Sequence, residues 1–276
     1  PVLRVSLSAA MVRFWPFSPM AYPSMTVTDT SFGRSFPTYV LPLRRVLRMQ
    51  QLQEHEELMA LGMLVEWNSQ MGPLIFMSHT WHSFSHPDPD GVKLRLLQDF
   101  VRGVEDGKVE IENSWEEQVL LCGRKVMSNK LLRSKVHDAY LWVDFCSVPQ
   151  AESEGRSLAI SSIHKYVSSC ALFLVVVPTA LHESGALQDV WAWRSRGWCR
   201  MEGIANELSQ DPKPAVVLES AASGYAITSF RGTVLEPVGL GVFTVPADRE
   251  RLGPVIKFMI QERQGGAPGG PPRGAR

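Results

Sequence analysis

Three strongly apolar segments most constrain how this chain can fold. The longest uninterrupted apolar run is 171–178 (ALFLVVVP), and its β-branched residues are typical of a strand buried on both faces. Two further strand candidates, 74–81 (LIFMSHTW) and 140–148 (YLWVDFCSV), precede it, with helical patterns between them. Because alternating strands and helices are typical of a parallel sheet covered on both faces, we expect an α/β fold with a central, mainly parallel sheet.

Sequence patterns divide the chain into four parts. Residues 1–40 contain several prolines and no sustained period, so we expect a poorly ordered extension. Apolar residues recur at helical spacing over 43–67, which predicts an accessory helix within 41–72. The alternating strands and helices occupy 73–263. The Gly- and Pro-rich tail, 264–276, is expected to be disordered.

Helix and strand signals within the main part define further elements. The predicted helices are 92–104, 115–136, 157–169, 198–209 and 247–263, and the further short strands are 216–219 and 240–245.

A Trp and a carboxylate lie four residues apart where one of these helices begins, in the segment 196–202 (RGWCRME). This spacing places Trp198 and Glu202 on one helix face, one turn apart. The strand candidates end in further polar or aromatic residues: Ser78, His79, Trp81, Asp144 and Cys146. Ligands of open α/β sheets bind at the carboxyl ends of the strands, so we expect these side chains to converge on one cleft. A carboxylate beside an aromatic ring suits a nucleotide-sized ligand.

The order of these elements resembles a Toll/interleukin-1 receptor (TIR) domain over about 74–263. FMSHTW is similar to the opening strand of the family, and LWVDFCSVPQ is similar to its second strand, which ends in a hydrophobic-x-Asp motif. The segment 163–178 is similar to the following helix and third strand. Trp198, Cys199 and Glu202 match the WCxxE pattern that opens the helix carrying the catalytic glutamate in NAD-cleaving TIR domains.

The same segments are also similar to fungal heterokaryon-incompatibility (HET) domains, which share the TIR-like core. LWVDFCSVPQ resembles their W-x-D-x-x-C-x-x-Q strand end, and RGWCRME resembles their RGW-x-x-x-E segment.

The resemblance implies a flavodoxin-like TIR fold, self-association and a signalling role in innate immunity or cell death. It implies NAD as substrate and Glu202 as the catalytic residue. The residues that it assigns to cofactor binding are Ser78, His79, Trp81, Asp144, Cys146, Trp198 and Cys199. Two features depart from the family pattern: HTWHSFSHPDPDG replaces the short Arg-containing loop after the first strand, and 105–139 carries an insertion.

One carboxylate can suffice for NAD glycohydrolysis. The reaction passes through an oxocarbenium-like state, and nicotinamide leaves as a neutral group, so Glu202 needs no acid partner. The structural alternative is that Glu202 is an exposed first-turn helix acid and Trp198 a packing residue. On either interpretation, Glu202→Gln is expected to change folding by only about 0.3 to 1 kcal/mol. A second alternative for the whole protein is a non-catalytic interaction module that acts by assembly.

Other chemistry is less well supported by the sequence. The loop residues His79, His82, His86, Asp88 and Asp90 are of metal-ligand types, but their spacing matches no ligand template, so no metal is expected. Cys199 or Cys146 is either a nucleophile of lowered pKa or a small packed residue. A cluster of Trp and Arg residues over 191–200 suits base stacking, a loop over the cleft or a self-association surface.

Composition excludes several classes of protein. Lys plus Arg and Asp plus Glu both number 28, so nucleic acid is not an expected partner. The longest apolar run is far shorter than the roughly 20 residues of a membrane helix, so no membrane span is expected. The four cysteines form no CxxC pair, which indicates reduced thiols and a cytoplasmic protein. The acid-free stretch 1–28 is also compatible with an organellar transit segment.

Overall fold

A computed structural model describes residues 35–113, 118–119, 123–151, 153–220, 224–228 and 237–264. Most of the extension predicted at 1–40, nearly all of the tail predicted at 264–276 and the start of the helix predicted at 115–136 lie outside these residues.

The described part of the chain alternates short strands and helices. The strands are β1 (Tyr39–Pro42), β2 (Val65–Glu66), β3 (Leu74–His79), β4 (Ile111–Asn113), β5 (Val126–Met127), β6 (Tyr140–Trp142), β7 (Leu172–Val176), β8 (Ala180–Leu181), β9 (Leu187–Gln188), β10 (Ala215–Ser220) and β11 (Gly224–Thr228). The α-helices are α1 (Leu43–Val46), α2 (His55–Ala60), α3 (Val92–Glu105), α4 (Asn129–Val136), α5 (Asp144–Ser147), α6 (Ser153–Ser161), α7 (Ile163–Ser169), α8 (Val190–Ser195), α9 (Gly197–Leu208) and α10 (Asp248–Arg263). A 3₁₀ turn spans Val238–Leu240.

A nine-stranded sheet has the order β2-β1-β6-β3-β7-β10-β11-β4-β5, and β8 and β9 form a separate hairpin. The four central strands, β6, β3, β7 and β10, run parallel. Antiparallel strands flank them, with β1 beside β6 and β11 beside β10. All five residues of β7 are buried, as expected for a strand with a neighbour on each side and helices on both faces. The predicted α/β architecture with a central parallel sheet is therefore confirmed.

Alternate residues of the central strands supply two separate cores. Ile75 and Met77 of β3 belong to one core with α1, α3 and α4, whereas Leu74 and Phe76 belong to the other with α7, α9 and α10. In the second core, the Phe76 ring stacks on the Trp142 ring with centroids 4.6 Å apart. Helices therefore cover both faces of the sheet, as predicted.

The long loop after β3 caps the N-terminus of α3. Asp88 is fully buried, and its carboxylate accepts backbone hydrogen bonds from Lys93 (3.0 Å) and Leu94 (2.9 Å) in the first turn. Gly91 adopts a left-handed φ of 65° at the turn into the helix, which favours glycine. The helix predicted at 92–104 is confirmed.

The accessory helix predicted over 43–67 is wrong. That segment contains two short helices and β2, and the preceding residues form β1, an antiparallel strand beside β6. The side-chain amide of Gln98 donates to the carbonyls of Val46 and Met49, both at 2.9 Å, at the end of α1. These carbonyls thus accept hydrogen bonds from α3 and not from a continued helix. The helical spacing of apolar residues alone does not reveal this.

Two further predicted elements are shorter than their apolar patterns. The strand predicted at 140–148 ends at Trp142, because residues 144–147 form the helical turn α5, where the Asp144 carboxylate accepts from the backbone of Phe145 at 2.6 Å. The helix predicted at 157–169 divides at Ser162, whose hydroxyl donates to the carbonyl of Leu158 and accepts from the backbone of Phe36.

Other boundaries differ to varying degrees. The helix predicted at 115–136 is interrupted by β5, and only 129–136 is helical in its second half. The strand predicted at 240–245 is reduced to one bridge, in which Val242 pairs with Arg196. Within the described residues, α9, β10 and α10 confirm the elements predicted at 198–209, 216–219 and 247–263. No helix in this part of the chain is long and apolar enough to cross a membrane.

Candidate functional site

A hydrogen-bonded chain of three side chains lies where β3 ends. Ser78, the fifth residue of β3, is fully buried, and its hydroxyl donates to a carboxylate oxygen of Glu202 on α9. The indole Nε1 of Trp193 on α8 donates to the same hydroxyl at 2.7 Å. These bonds join one strand to two helices at the carboxyl end of β3, which lies between β6 and β7 in the sheet. Ligands of open α/β sheets bind at this edge.

Glu202 is a buried carboxyl group. Its exposed fraction is only 9 %, so the structure does not support the alternative of an exposed first-turn acid. Burial raises the pKa of Glu202 to about 8, and the charge of Asp144 acts in the same direction, while the hydrogen bond from Ser78 opposes both. Near pH 7 the carboxyl group is thus mainly protonated, and a minor fraction is ionised.

Asp144 is the second carboxylate of the site, and its environment favours ionisation. Burial alone would raise the pKa of Asp144, but the nearby His79 ring and the hydrogen bonds from His79, Trp81 and the Phe145 backbone lower it below the usual range. The distances are 2.8 Å to His79 Nε2 and 3.0 Å to Trp81 Nε1. The two carboxyl groups therefore have pKa values shifted in opposite directions.

Both carboxyl groups line a cavity of about 160 Å³ between the sheet, α6, α7, α9 and α10. Its wall combines aromatic rings, three carboxyl groups and three arginines. The lining residues are His79, Trp81, Trp142, Asp144, Val148, Gln150, Arg156, Ala159, Ile160, Ile163, Arg196, Trp198, Cys199, Glu202, Thr244, Val245, Asp248 and Arg251. Flat rings and charged groups of both signs can contact a ligand that contains a base, a sugar and a phosphate.

The segment before α10 closes the outer side of this cavity. Trp198 Nε1 donates to the Asp248 carboxylate at 3.0 Å, which connects α9 to α10. The Phe243 ring packs so closely on Gly197 that a Cβ atom there would lie 2.0 Å from the ring. Only glycine therefore fits at the Gly of the RGW segment without a shift of the Phe243 ring.

The structure places most of the predicted site residues together. Six of the eight line the cavity: His79, Trp81, Asp144, Trp198, Cys199 and Glu202. Ser78 lies behind the wall and contacts Glu202. Trp198 and Glu202 face the cavity from one side of α9, as their spacing predicts.

Cys146 requires a correction, because it does not line this cavity. The turn of α5 carries it into the core on the opposite face of the sheet, where it is fully buried and its carbonyl lies 3.2 Å from His55 Nδ1. Burial raises the pKa of the Cys146 thiol far above the usual range. The prediction assumed that the strand continues through 148, which would have kept Cys146 on the side of Asp144.

Neither thiol is an activated nucleophile. Cys199 is buried, and burial raises the pKa of its thiol well above the usual range, with the nearby Glu202 adding to the shift. Its sulfur lies 3.6 Å from the carbonyl of His79, which its S–H donates to. The packed alternative describes this residue better than the nucleophile alternative.

Several cavity residues carry no pattern that singles them out in the sequence. Arg156, Asp248 and Arg251 come from α6 and α10, far from the strand ends. The cluster of Trp and Arg residues over 191–200 drew attention to the region that contributes Trp193 and Arg196. Its spacing gave no sign that Trp193 would reach Ser78.

Two of the candidate metal-ligand residues in the loop after β3, His86 and Asp88, have structural partners. His86 Nε2 lies 2.9 Å from the carbonyl of Leu52, and Asp88 caps α3. Among the described residues, no group of three or more His, Cys, Asp or Glu side chains is placed to hold a metal ion.

Comparison of the sequence with protein-family models found no match, and comparisons with curated proteins and with solved structures found none either.

Proposed function

We propose that this protein is a TIR-like NAD glycohydrolase, which binds NAD and releases nicotinamide in a cytoplasmic signalling or cell-death role. The observation that carries the proposal is the placement of Glu202, which lines the cavity beside Trp198 and accepts a hydrogen bond from buried Ser78. A buried carboxyl group that faces a cavity and is held by one directed hydrogen bond suits the stabilisation of positive charge that develops on a ligand.

The strand order supports a flavodoxin-like TIR fold. Along the chain, the parallel strands are β3, β6, β7 and β10, and in space their order is second, first, third and fourth. This is the flavodoxin-like order, with its ligand site between the first and third strands. The segments that extend the sheet, β1 and β2 at one edge and β4 and β5 at the other, are additions to that core.

The proposed reaction breaks one bond and consumes one water. The bond between ribose C1′ and the nicotinamide nitrogen breaks, and its electron pair neutralises the pyridinium, so that nicotinamide leaves uncharged. Positive charge then develops at C1′ and the ring oxygen, where the Glu202 carboxylate stabilises it. Water adds to C1′ and loses a proton, which gives ADP-ribose. The Trp198 ring provides a flat apolar surface for the nicotinamide or the ribose.

A ligand with a positive charge also helps to ionise Glu202. The pKa of Glu202 is raised to about 8 in the unliganded protein, chiefly by burial. A nicotinamide cation beside the carboxyl group favours the charged form, which lowers this pKa on binding. The same burial that keeps the free carboxyl group largely neutral strengthens its interaction with a cationic ligand.

Nicotinamide release from NAD tests the proposal directly. We expect the purified protein to release nicotinamide and Glu202→Gln to lower kcat by at least about a hundredfold, since one transition-state electrostatic contact is lost. Glu207→Gln, on the same helix but outside the cavity, is the matched control and should keep activity. Absence of turnover in the concentrated wild-type protein, or equal turnover in the Glu202 variant, would overturn the assignment.

A second candidate function is assembly with other copies of the chain, without catalysis. Three apolar side chains near α8 favour it, because Leu181, Leu187 and Trp191 are more than half exposed and the two leucines are paired across the β8–β9 hairpin. Sedimentation over a range of concentrations tests this function. Assembly that Trp191→Asp abolishes, in a protein that does not cleave NAD, would favour the interaction module.

A further inference from the structure

Three arginines line the cavity from three different elements. Arg156 comes from α6, Arg251 comes from α10, and Arg196 immediately precedes α9. We call these residues the arginine cluster. The loop that follows β3, residues 80–91, contains no arginine. The arginines of the cavity therefore come from other segments of the chain.

Two hydrogen bonds and one ion pair hold the three guanidinium groups at the cavity wall. Arg156 Nη1 donates to the carbonyl of Gln150 at 2.9 Å, and Arg196 Nη2 donates to the hydroxyl of Thr244 at 3.2 Å. Arg251 Nη1 lies 3.4 Å from a carboxylate oxygen of Asp248. Gln150, Thr244 and Asp248 themselves line the cavity, so these contacts keep the cations beside the space that a ligand would occupy.

The charges that line this cavity near pH 7 are unequal. Three guanidinium groups accompany three carboxyl groups, but burial keeps that of Glu202 mainly protonated, and that of Asp248 already accepts a hydrogen bond from Trp198. Arg156 and Arg251 are both close enough to Asp248 to stabilise its negative charge. Burial nevertheless raises the pKa of Asp248, which limits how far it offsets the arginines. The lining of the cavity therefore has an excess of positive charge near pH 7, which favours an anion.

We propose that the arginine cluster binds the phosphate or diphosphate of a nucleotide whose sugar faces Glu202. Guanidinium groups match phosphate oxygens with paired hydrogen bonds, and arginine is favoured where planar, bidentate recognition of phosphate is needed. The aromatic rings of Trp81 and Trp198 line the same cavity and suit the remainder of a nucleotide.

This inference deepens the proposed function and rests on it only for the orientation of the sugar. It adds that a phosphate is a recognised part of the ligand, so that a nucleoside alone is a poor ligand. Phosphate recognition by residues of α6 and α10 also distinguishes this cavity from one that is served by a strand-end loop.

Binding of ADP and adenosine to the full chain tests the inference without any chemical step. Titration calorimetry should show that ADP binds the wild-type protein roughly tenfold or more tightly than adenosine, the effect of one charge-assisted hydrogen bond or more. Arg156→Gln and Arg251→Gln should each weaken ADP binding by roughly tenfold and leave adenosine binding unchanged. Arg156→Lys should retain part of the affinity, because charge remains while the paired donor geometry is lost.

Arg133→Gln is the matched control, since it removes one exposed arginine from α4, which packs on the other face of the sheet. Thermal unfolding of each variant shows that it is folded. Equal affinity for ADP and adenosine, failure of both to bind, or unchanged ADP binding in both cavity variants would overturn the phosphate site. If the protein prefers ADP to adenosine but does not cleave NAD, the phosphate site stands and the proposed activity is wrong. If the protein cleaves NAD but does not prefer ADP, the activity stands and the phosphate site is wrong.

Discussion

The indole N–H of Trp193 donates to the hydroxyl of Ser78 at 2.7 Å, and this bond fixes the direction of the next one. An indole nitrogen donates and does not accept, so the Ser78 oxygen accepts from Trp193 and its proton is directed at Glu202. Both Ser78 and Trp193 are buried, so the chain of bonds is protected from water. Trp193 is therefore a positioning residue that holds Ser78 as a donor to the carboxylate.

Ser78→Ala should move the pH dependence of the proposed NAD cleavage to higher pH. The hydrogen bond from Ser78 lowers the pKa of Glu202, so its loss raises that pKa further above about 8 and depletes the carboxylate near neutral pH. The pH profile of kcat/KM measures this shift, because it reports ionisations of the free enzyme. Trp193→Phe keeps the ring but removes the N–H donor, and a smaller shift in the same direction is expected. An unchanged profile in Ser78→Ala would contradict the role of this bond.

Asp144→Asn should move the same profile in the opposite direction. The negative charge of Asp144 raises the pKa of Glu202, so its removal lowers that pKa and extends the ionised form to lower pH. The amide of Asn retains an acceptor for the indole of Trp81, which limits structural change. The measurement is the pH at which the acidic limb of the kcat/KM profile has its midpoint, which does not depend on the maximum rate. A shift to higher pH would show that the two carboxyl groups do not interact as described.

Sequence patterns predicted the strands and helices that are long enough to show a clear apolar run or period. Strand β7 and helix α9 are long enough, and apolar or periodic enough, to be recognised alone. Strand β2 has two residues and β5 also has two, so neither contains a full period. Such edge strands depend on pairing with neighbours that are distant in sequence, which explains why a helix was predicted in their place.

The same distinction applies to the site. The strand ends and the helix spacing correctly predicted that Asp144, Trp198 and Glu202 line one cavity, because parallel strands end at a common edge. The bond between Trp193 and Ser78 spans 115 residues, and it depends on how α8 packs rather than on any local spacing. Cys146 was misplaced because the turn of α5, which follows only one residue after β6, sends its side chain to the opposite core.

Gly241→Ala should destabilise the wall that closes the cavity. A Cβ atom at this position would lie 2.5 Å from the Cα atom of Gly197, and backbone atoms cannot move aside as a side chain can. The expected loss is about 1 to 3 kcal/mol of unfolding free energy, the usual cost of overpacking, with weaker ligand binding. Gly239→Ala is the control, since a Cβ atom there would have no neighbour within 4 Å. Urea unfolding of both variants should separate them, and equal stabilities would contradict the close packing.

Glu202→Gln should make the protein more stable than the wild type at high pH, contrary to the small effect expected for an exposed helix acid. The pKa of Glu202 is raised to about 8 in the folded protein, whereas an unfolded glutamate ionises near about 4.3. Below both pKa values the carboxyl group is protonated in the folded and the unfolded state, so its ionisation does not change the free energy of unfolding. Between them only the unfolded chain releases the proton, so this group lowers stability as pH rises, by up to about 1.4 kcal/mol per pH unit, and the loss ends above about 8.

Glutamine cannot ionise and still accepts the hydrogen bond from Ser78, so this pH-dependent loss should vanish in the variant. Urea unfolding of the wild type, Glu202→Gln and Glu207→Gln at pH 5, 7 and 9 measures the difference, and the contributions of groups that do not interact with Glu202 cancel in the comparison. The advantage of Glu202→Gln should grow from pH 5 to pH 9, while Glu207→Gln follows the wild type. An advantage that does not change with pH would show that Glu202 ionises normally in the folded protein, and the electrostatic basis of the proposed catalysis would then be lost.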